Sequence, residues 1–322
     1  MSTSNRSRAF WSTQRVFLTG ASGFLGSHVR EALQALNPAA LFAPSSKECN
    51  LMRAASIDRL LRDKKPTVII HLAAVCGGIG ANLKSPGRFF YENALMGLQL
   101  MEAARRDGVQ KFVQIGTVCA YPKFPPRIPF REDDLWLGYP EETNAPYGLA
   151  KKMLLVQAQA YRQQYGFDAI YLLPANLYGP RDHFDLENSH VIPALIRKIA
   201  EAKERKQATL EIWGTGKPTR EFLYVKDAVQ GILKATEQYS APEPVNLGSG
   251  QSVSIRHLVE LLSGLMGFKG KLAWNTTKPD GQPKRALDVS RARAAFGFQA
   301  TTPLKKGLQE TIRWYLEYNS TR

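Results

Sequence analysis

Tyr147 and Lys151 stand four residues apart in Tyr147-Gly148-Leu149-Ala150-Lys151. On a helix that spacing puts a phenol and an ammonium on one face. A phenol titrates at about pH 10 and becomes a useful acid or base near neutrality only beside a cation, so the pair is expected to lower the tyrosine pKa and move protons. Taken alone, the same spacing also describes an ordinary amphipathic pair. Upstream, the apolar run Lys111 to Gly116 ends in Thr117-Val118-Cys119, which delivers a hydroxyl and a thiol to one place. Thr117 is suited to hydrogen-bond a carbonyl oxygen, whereas Cys119 is either a proton-transfer group or a small buried hydrophobe.

These residues need a scaffold, and the chain reads as a βα repeat. RVFLTG precedes an amphipathic stretch Phe24 to Leu36, ALFAP precedes Ser56 to Arg62, and TVIIHLAA precedes Pro86 to Arg106. KFVQIG then precedes Pro146 to Tyr165, and DAIYLLPA follows. Apolar strands between helices imply a parallel sheet covered on both faces, the doubly wound Rossmann class of α/β fold, with ligands at the carboxyl ends of the strands. After Asn176 come prolines, a helix near Val191 to Lys206, a strand at Leu210 to Trp213 and a late helix from Pro303 to about Tyr315. The expected organisation is a disordered lead-in over 1–14, a dinucleotide-binding domain over 15–176 with a returning segment at about 222–248, and a smaller α/β substrate lobe from 177–221 and 249–322.

The first βα turn, Gly20-Ala21-Ser22-Gly23-Phe24-Leu25-Gly26, opens a helix, where glycines let backbone amides approach a pyrophosphate. Its spacing is GxxGxxG, which packing needs alone can also produce. At the end of the second strand no acid stands ready for a ribose 2′-hydroxyl; Ser45, Ser46 and Lys47 suit a 2′-phosphate, which favours NADP(H), with Asn50 and Leu51 beside the adenine.

Composition excludes several classes. Lys and Arg total 43 against 28 Asp and Glu, a net charge of +15. Basic residues gather in Arg197 to Lys206 and Lys284 to Arg293, either a field for phosphate-bearing ligands or two solvated helix faces. No zinc-finger, RNP motif or aromatic-interleaved stripe accompanies the charge, so nucleic acid is not an expected partner. The longest apolar run, Val68 to Leu83, is broken by His71, Asn82 and glycines, which argues against a membrane span. The polar N-terminus lacks the apolar core of a signal peptide, and Cys49, Cys76 and Cys119 form no CxxC pair, so a cytoplasmic protein without structural zinc or disulfides is expected.

The glycine turn, His71-Leu72-Ala73-Ala74, the strand-end hydroxyl and YxxxK together resemble the extended short-chain dehydrogenase/reductase family. Further motifs resemble its GDP-L-fucose synthase branch: GGIGAN (Gly77 to Asn82), CAYPK (Cys119 to Lys123), PANLYGPRDHF (Pro174 to Phe184), NSHVIPAL (Asn188 to Leu195), WGTGKPTREFLYVKD (Trp213 to Asp227) and KPDGQPKR (Lys278 to Arg285). That resemblance implies a bifunctional, dimeric enzyme that epimerises GDP-4-keto-6-deoxy-D-mannose at C3 and C5 and then reduces C4 with NADPH. It implies that Cys119 removes the protons next to the ketone, that His190 returns one on the opposite face, and that Thr117, Tyr147 and Lys151 serve the C4 oxygen. It also places Leu72, Ala73, Ala74, Pro174, Leu177 and His190 along the dinucleotide, and Asn176, Val191, Lys198, Trp213, Arg220 and Asp280 around the nucleotide sugar.

Two departures stand out. Thr117 occupies a position that is usually serine, and the turn carries Ser22 and Phe24 where a basic residue often serves the 2′-phosphate, which keeps NAD(H) open. The rivals are an enzyme for a related GDP-4-keto sugar, such as a deoxy-heptose or colitose precursor, and a non-catalytic nucleotide-sensing protein. A sensor has no need of Thr117, Cys119, Tyr147, Lys151 and His190 together.

Overall fold

The computed structural model describes residues 3–186, 189–278, 280 and 282–320; Asn188, Pro279 and Gly281 of the quoted motifs lie outside them. Strands β1 (Arg15–Thr19), β2 (Ala40–Phe42), β3 (Val68–His71), β4 (Lys111–Ile115) and β5 (Ala169–Pro174) build the first half of the chain. Helices α1 (Thr3–Trp11), α2 (Phe24–Leu36), α3 (Ala54–Lys64), α4 (Ile79–Lys84), α5 (Pro86–Arg106) and α6 (Ala145–Tyr165) accompany them. The second half holds β6 (Asn176–Tyr178), α7 (Val191–Glu204), β7 (Thr209–Trp213), β8 (Thr219–Tyr224), α8 (Val225–Gln238) and β9 (Val245–Leu247). It closes with β10 (Ser252–Ser254), α9 (Ile255–Met266), β11 (Lys271–Asn275), β12 (Lys284–Arg285), α10 (Ser290–Phe296) and α11 (Leu304–Ser320).

Six strands form one parallel sheet in the order β2-β1-β3-β4-β5-β9. Its central strands alternate between two apolar layers, as a pleat requires. Val16, Leu18, Val68, Ile70 and Val113 enter one core, while Phe17, Ile69 and Phe112 enter the core on the other face. A third core, among Tyr178, Ile196, Ile199, Leu258, Leu262 and Leu308, holds α7, α9 and α11 against β8. Strand order reverses between β1 and β3, so the glycine turn after β1 and the Leu72–Ala74 segment after β3 flank one crevice.

The lead-in expected to be disordered is instead helical from Thr3 to Trp11. Trp11 has no exposed surface, and its indole Nε1 donates to Glu237 Oε1 of α8 at 2.5 Å, beside the Ser7 hydroxyl donating to the same oxygen at 2.6 Å. The helix is ordered by a partner 226 residues away, which local polarity cannot reveal.

Candidate active site

The crevice begins with backbone geometry. Gly20 adopts φ +69°, and a Cβ there would lie 2.7 Å from the Ala73 amide nitrogen. A Cβ on Gly26 would lie 1.9 Å from the Gly20 carbonyl oxygen. Both glycines are thus fixed by close approach, which brings the α2 N-terminus down onto the strand ends. Gly23 caps α2 without any side-chain hydrogen bond, and Ser22 is exposed beside it, so the first amides of a 13-residue helix face the crevice. That cradle fits a dinucleotide pyrophosphate. Phe24 and Leu25 are half-buried above it, packed against the lobe core.

Across the turn, Thr19 Oγ1 accepts from the amides of Leu72 and Ala73 at 3.1 Å each and bonds His71 Nδ1 at 2.8 Å. This network fixes the Leu72–Ala74 edge. Beyond the end of β2, Ser45 donates through its amide and hydroxyl to Glu48 at 2.7 and 2.9 Å, and Ser46 and Lys47 are exposed. Asn50 Oδ1 accepts from the Met52 amide at 2.9 Å, and Leu51 is packed in the core below. Ser45, Asn50 and Leu51 therefore already have partners within the protein.

The proton-handling groups converge at the end of β4. Thr117 caps a short turn over Val118–Ala120, its hydroxyl accepting from the Cys119 amide at 3.2 Å. Gly148 lets α6 seat against that turn, since a Cβ there would stand 2.4 Å from the Cys119 carbonyl oxygen. The neighbouring Tyr147 phenol consequently hydrogen-bonds the Thr117 side chain. Lys151, one turn further, is 2% exposed.

The tyrosine pKa departs from expectation. Burial pushes Tyr147 well above the usual phenol value, with Cys76, Cys119 and Tyr171 adding to the rise and the Thr117 hydrogen bond opposing it. Lys151 is itself pulled down to about 8 by burial, offset by Cys76. Desolvation outweighs the i,i+4 spacing, so the lowering expected from the sequence is not present in this structure.

His190 caps α7 and reaches a cleft of about 560 Å³ lined also by Phe24, Cys76, Phe89, Asp182 and His183. Its pKa is lowered, first by desolvation among the cleft walls and then by His183, although the residue keeps an exposed surface. Asp182, 8% exposed, is pushed up to about 7 by burial, opposed by the hydrogen bond from the His183 amide. Asp182 lies inside the motif Pro174 to Phe184 and Cys76 just before GGIGAN, yet sequence reasoning assigns a role to neither.

The proposed substrate residues fall into two groups. Asn176 donates through Nδ2 to the Glu221 carbonyl at 2.9 Å, on the β6–β8 pair that continues from Pro174; Leu177 is its half-buried neighbour, and Val191 opens α7. Trp213 is 60% exposed, with the ammoniums of Lys198 and Lys278 at 5.3 and 5.2 Å from its ring centroid. Asp280 accepts from the Thr215 amide and hydroxyl, both at 2.7 Å. Arg220 has no ion pair with Glu221 among the described residues, because Glu221 is buried and accepts from the amides of Leu287 and Gly250 at 2.6 and 2.8 Å. Its guanidinium is pulled down to about 10 by burial and by Arg285, against Asp280. Arg285, paired with Arg220 in the β12–β8 register, donates to the Cys119 sulfur at 3.8 Å. Sequence reasoning missed that contact, although the residue closes KPDGQPKR.

Several other members of the basic runs have internal partners. Arg197 pairs with Glu201 at 2.8 Å, and Arg291 with Asp133 at 2.8 Å.

A glycine-turn crevice at a sheet's switch point, with a tyrosine, lysine and strand-end hydroxyl beside it, defines a nicotinamide-dependent enzyme of the short-chain type. The chain belongs to the NAD dependent epimerase/dehydratase family, whose profile matches residues 16–248. It is 41% identical to the probable GDP-L-fucose synthase 1 of Oryza sativa subsp. japonica, over 94% of this chain and 92% of that protein. Among solved structures it is similar to a GDP-L-fucose synthetase from Naegleria fowleri bound to NADP (TM-score 0.85, 28% identity, 95% of each chain). It also resembles a GDP-6-OMe-4-keto-L-xylo-heptose reductase from C. jejuni (TM-score 0.88, 25% identity, 97% of this chain and 99% of that one). Among the described residues, no helix is long and apolar enough to cross a membrane.

Proposed function

We propose that this chain is a bifunctional epimerase-reductase that converts GDP-4-keto-6-deoxy-D-mannose to GDP-L-fucose with NADPH. The observation that carries the reading is the convergence of Thr117, Cys119 and Tyr147 on one strand end, where the Cys119 amide and the Tyr147 phenol meet a single hydroxyl. The identity of 41% to a named fucose synthase over nearly the whole chain supports the substrate.

Protons next to a ketone leave only if the oxygen can carry the enolate charge. Thr117 and Tyr147 hold the C4 oxygen while, at C3 and at C5 in turn, Cys119 takes one proton and His190 returns one on the opposite face, the thiol losing its proton to solvent and the imidazole regaining one between rounds. Bound NADPH supplies the hydride for C4. Tyr147 then gives its proton to the same oxygen, and Lys151 holds the nicotinamide ribose and stabilises the resulting phenolate. The rise in the Tyr147 pKa keeps the proton on the phenol until the alkoxide forms, which suits an acid that acts last.

Asn176, Val191, Lys198, Trp213, Arg220 and Asp280 receive the nucleotide sugar in the lobe formed by 177–221 and 249–322, with Arg220 at the diphosphate, where a guanidinium can pair two oxygens. The dinucleotide lies over 15–176 and 222–248, its 2′-phosphate at Ser46 and Lys47. The exposed Phe90, Tyr91, Val156 and Tyr165 on α5 and α6 support a homodimer through those helices, which light scattering tests directly. Three free cysteines suit a reducing cytoplasm.

Incubation with GDP-4-keto-6-deoxy-D-mannose and either NADPH or NADH, followed by product analysis, decides the function. GDP-L-fucose with consumption of NADPH is the expected result. NADPH consumption without inversion at C3 and C5 would instead assign the enzyme to simple ketone reduction, and absence of both would sink the proposal.

A further inference from the structure

Arg285 sits where two requirements meet. Its Nη1 donates to the Cys119 sulfur at 3.8 Å, and its Nε donates to Gln282 Oε1 at 2.5 Å. Gln282 in turn donates through Nε2 to the Lys123 carbonyl at 2.7 Å, so the guanidinium is anchored to the same loop that carries Cys119. The Phe130 amide donates to the Ala286 carbonyl at 2.8 Å, tying the far end of that loop to the residue after β12. A charged fork held at its Nε is directed at a thiol.

Arg220, its neighbour in register, is partly balanced by Asp280, while Arg285 acts on Glu141, whose Oε2 accepts from Thr143 and Asn144. Two adjacent guanidiniums without a shared carboxylate need anions between or beyond them. One such anion is the diphosphate proposed for Arg220. The Cys119 sulfur faces the other guanidinium.

We propose that Arg285 is a positioning residue for epimerisation: it orients the Cys119 sulfur and is the counter-charge of its thiolate. The inference rests on the function proposed above. In the step it serves, the C–H bond next to the ketone breaks and the S–H bond forms. The electron pair moves onto the C4 oxygen, and Arg285 keeps all its protons throughout. An arginine suits this place because it does not deprotonate at accessible pH, so the thiol cannot lose its partner to proton exchange.

The test uses the full-length protein. Iodoacetamide modification at neutral pH is followed by peptide mass spectrometry, with Cys76 as an internal reference, and GDP and NADPH binding are measured by calorimetry. Arg285→Gln should slow Cys119 modification about tenfold, the loss of one charge-assisted bond, with Cys76 and both affinities unchanged within about threefold. Arg285→Lys should recover part of that rate. Gln282→Leu, which frees the fork and keeps its charge, should slow it by about threefold. In turnover, solvent-deuterium exchange at C3 and C5 should fall in kcat at constant KM. Unchanged Cys119 modification in these variants would overturn the proposal, and a fall in GDP affinity instead would give Arg285 to the diphosphate. If Arg285→Gln does not bind NADPH, the Lys and Leu variants decide by the same readout. Because alkylation requires no sugar, a wrong substrate leaves this arm intact and appears only as missing turnover.

Discussion

The two proton-handling sides of the site solve the same problem by opposite means. Lys151 is buried and Tyr147 half-buried in a wall where desolvation raises the phenol and pulls the ammonium down to about 8, so each group resists its charged form. Cys119 is half-buried and has the Arg285 guanidinium on its sulfur at 3.8 Å. Under the proposed function, the acid that acts last is desolvated, whereas the thiol that acts first faces a cation. The two sides are joined through Thr117, whose hydroxyl meets both the Cys119 amide and the Tyr147 phenol.

The sharpest way to break this division is to remove one side at a time. Tyr147→Phe should lower C4 reduction about a thousandfold while solvent-deuterium exchange next to the ketone survives, since Thr117 still holds the oxygen. Cys119→Ser should do the reverse, with exchange lost and reduction of an already epimerised ketone retained within about tenfold. Loss of both activities in either variant, with NADPH binding intact, would mean that the two sides act as one unit.

Lys151→Met probes the dry side by stability. A lysine whose folded pKa falls from 10.5 to about 8 binds protons more weakly in the folded state, so it costs stability at neutral pH. Replacing it should stabilise the ligand-free protein by about 3 kcal/mol there, a gain that fades as pH rises from about 8 to 10.5. Denaturant titration at several pH values reads this out. A variant less stable than the parent at neutral pH would show that the ammonium is held by compensating contacts and that the wall is not dry.

Much of this contrast could be anticipated from the chain, though unevenly. Helices at Phe24–Leu36 and Pro86–Arg106 have the bounds their apolar periodicity indicates, and the sheet follows from fully apolar strands. The glycine turn, Thr117, Cys119, Tyr147 and Lys151 were legible because each lies within one local motif. Local text could not reveal that Tyr147 rises, because the rise comes first from desolvation in the packed chain and then from the electrostatics of Cys76, Cys119 and Tyr171. Nor could it pair Arg285 with Cys119, 166 residues apart, or order α1 through Glu237. Motif reading finds residues, while pKa and partnership belong to the packed chain.

The smallest expected effect is also the most specific to the junction. Thr117 is 8% exposed, and its hydroxyl is shared by the two sides. Thr117→Ser keeps the oxygen and deletes one methyl, which should cost about 0.8 kcal/mol of stability. The serine can still accept from the Cys119 amide and bond the phenol, but it lacks the second Cβ substituent that narrows χ1. Looser aim at one oxygen should then lower reduction and deuterium exchange together, each by less than about threefold. Steady-state reduction and exchange measured in the same preparation provide the comparison. If one rate moved while the other stayed fixed, the enolate and the alkoxide would not share the Thr117 hydroxyl, and the two sides would have to be treated as separate oxygen sites.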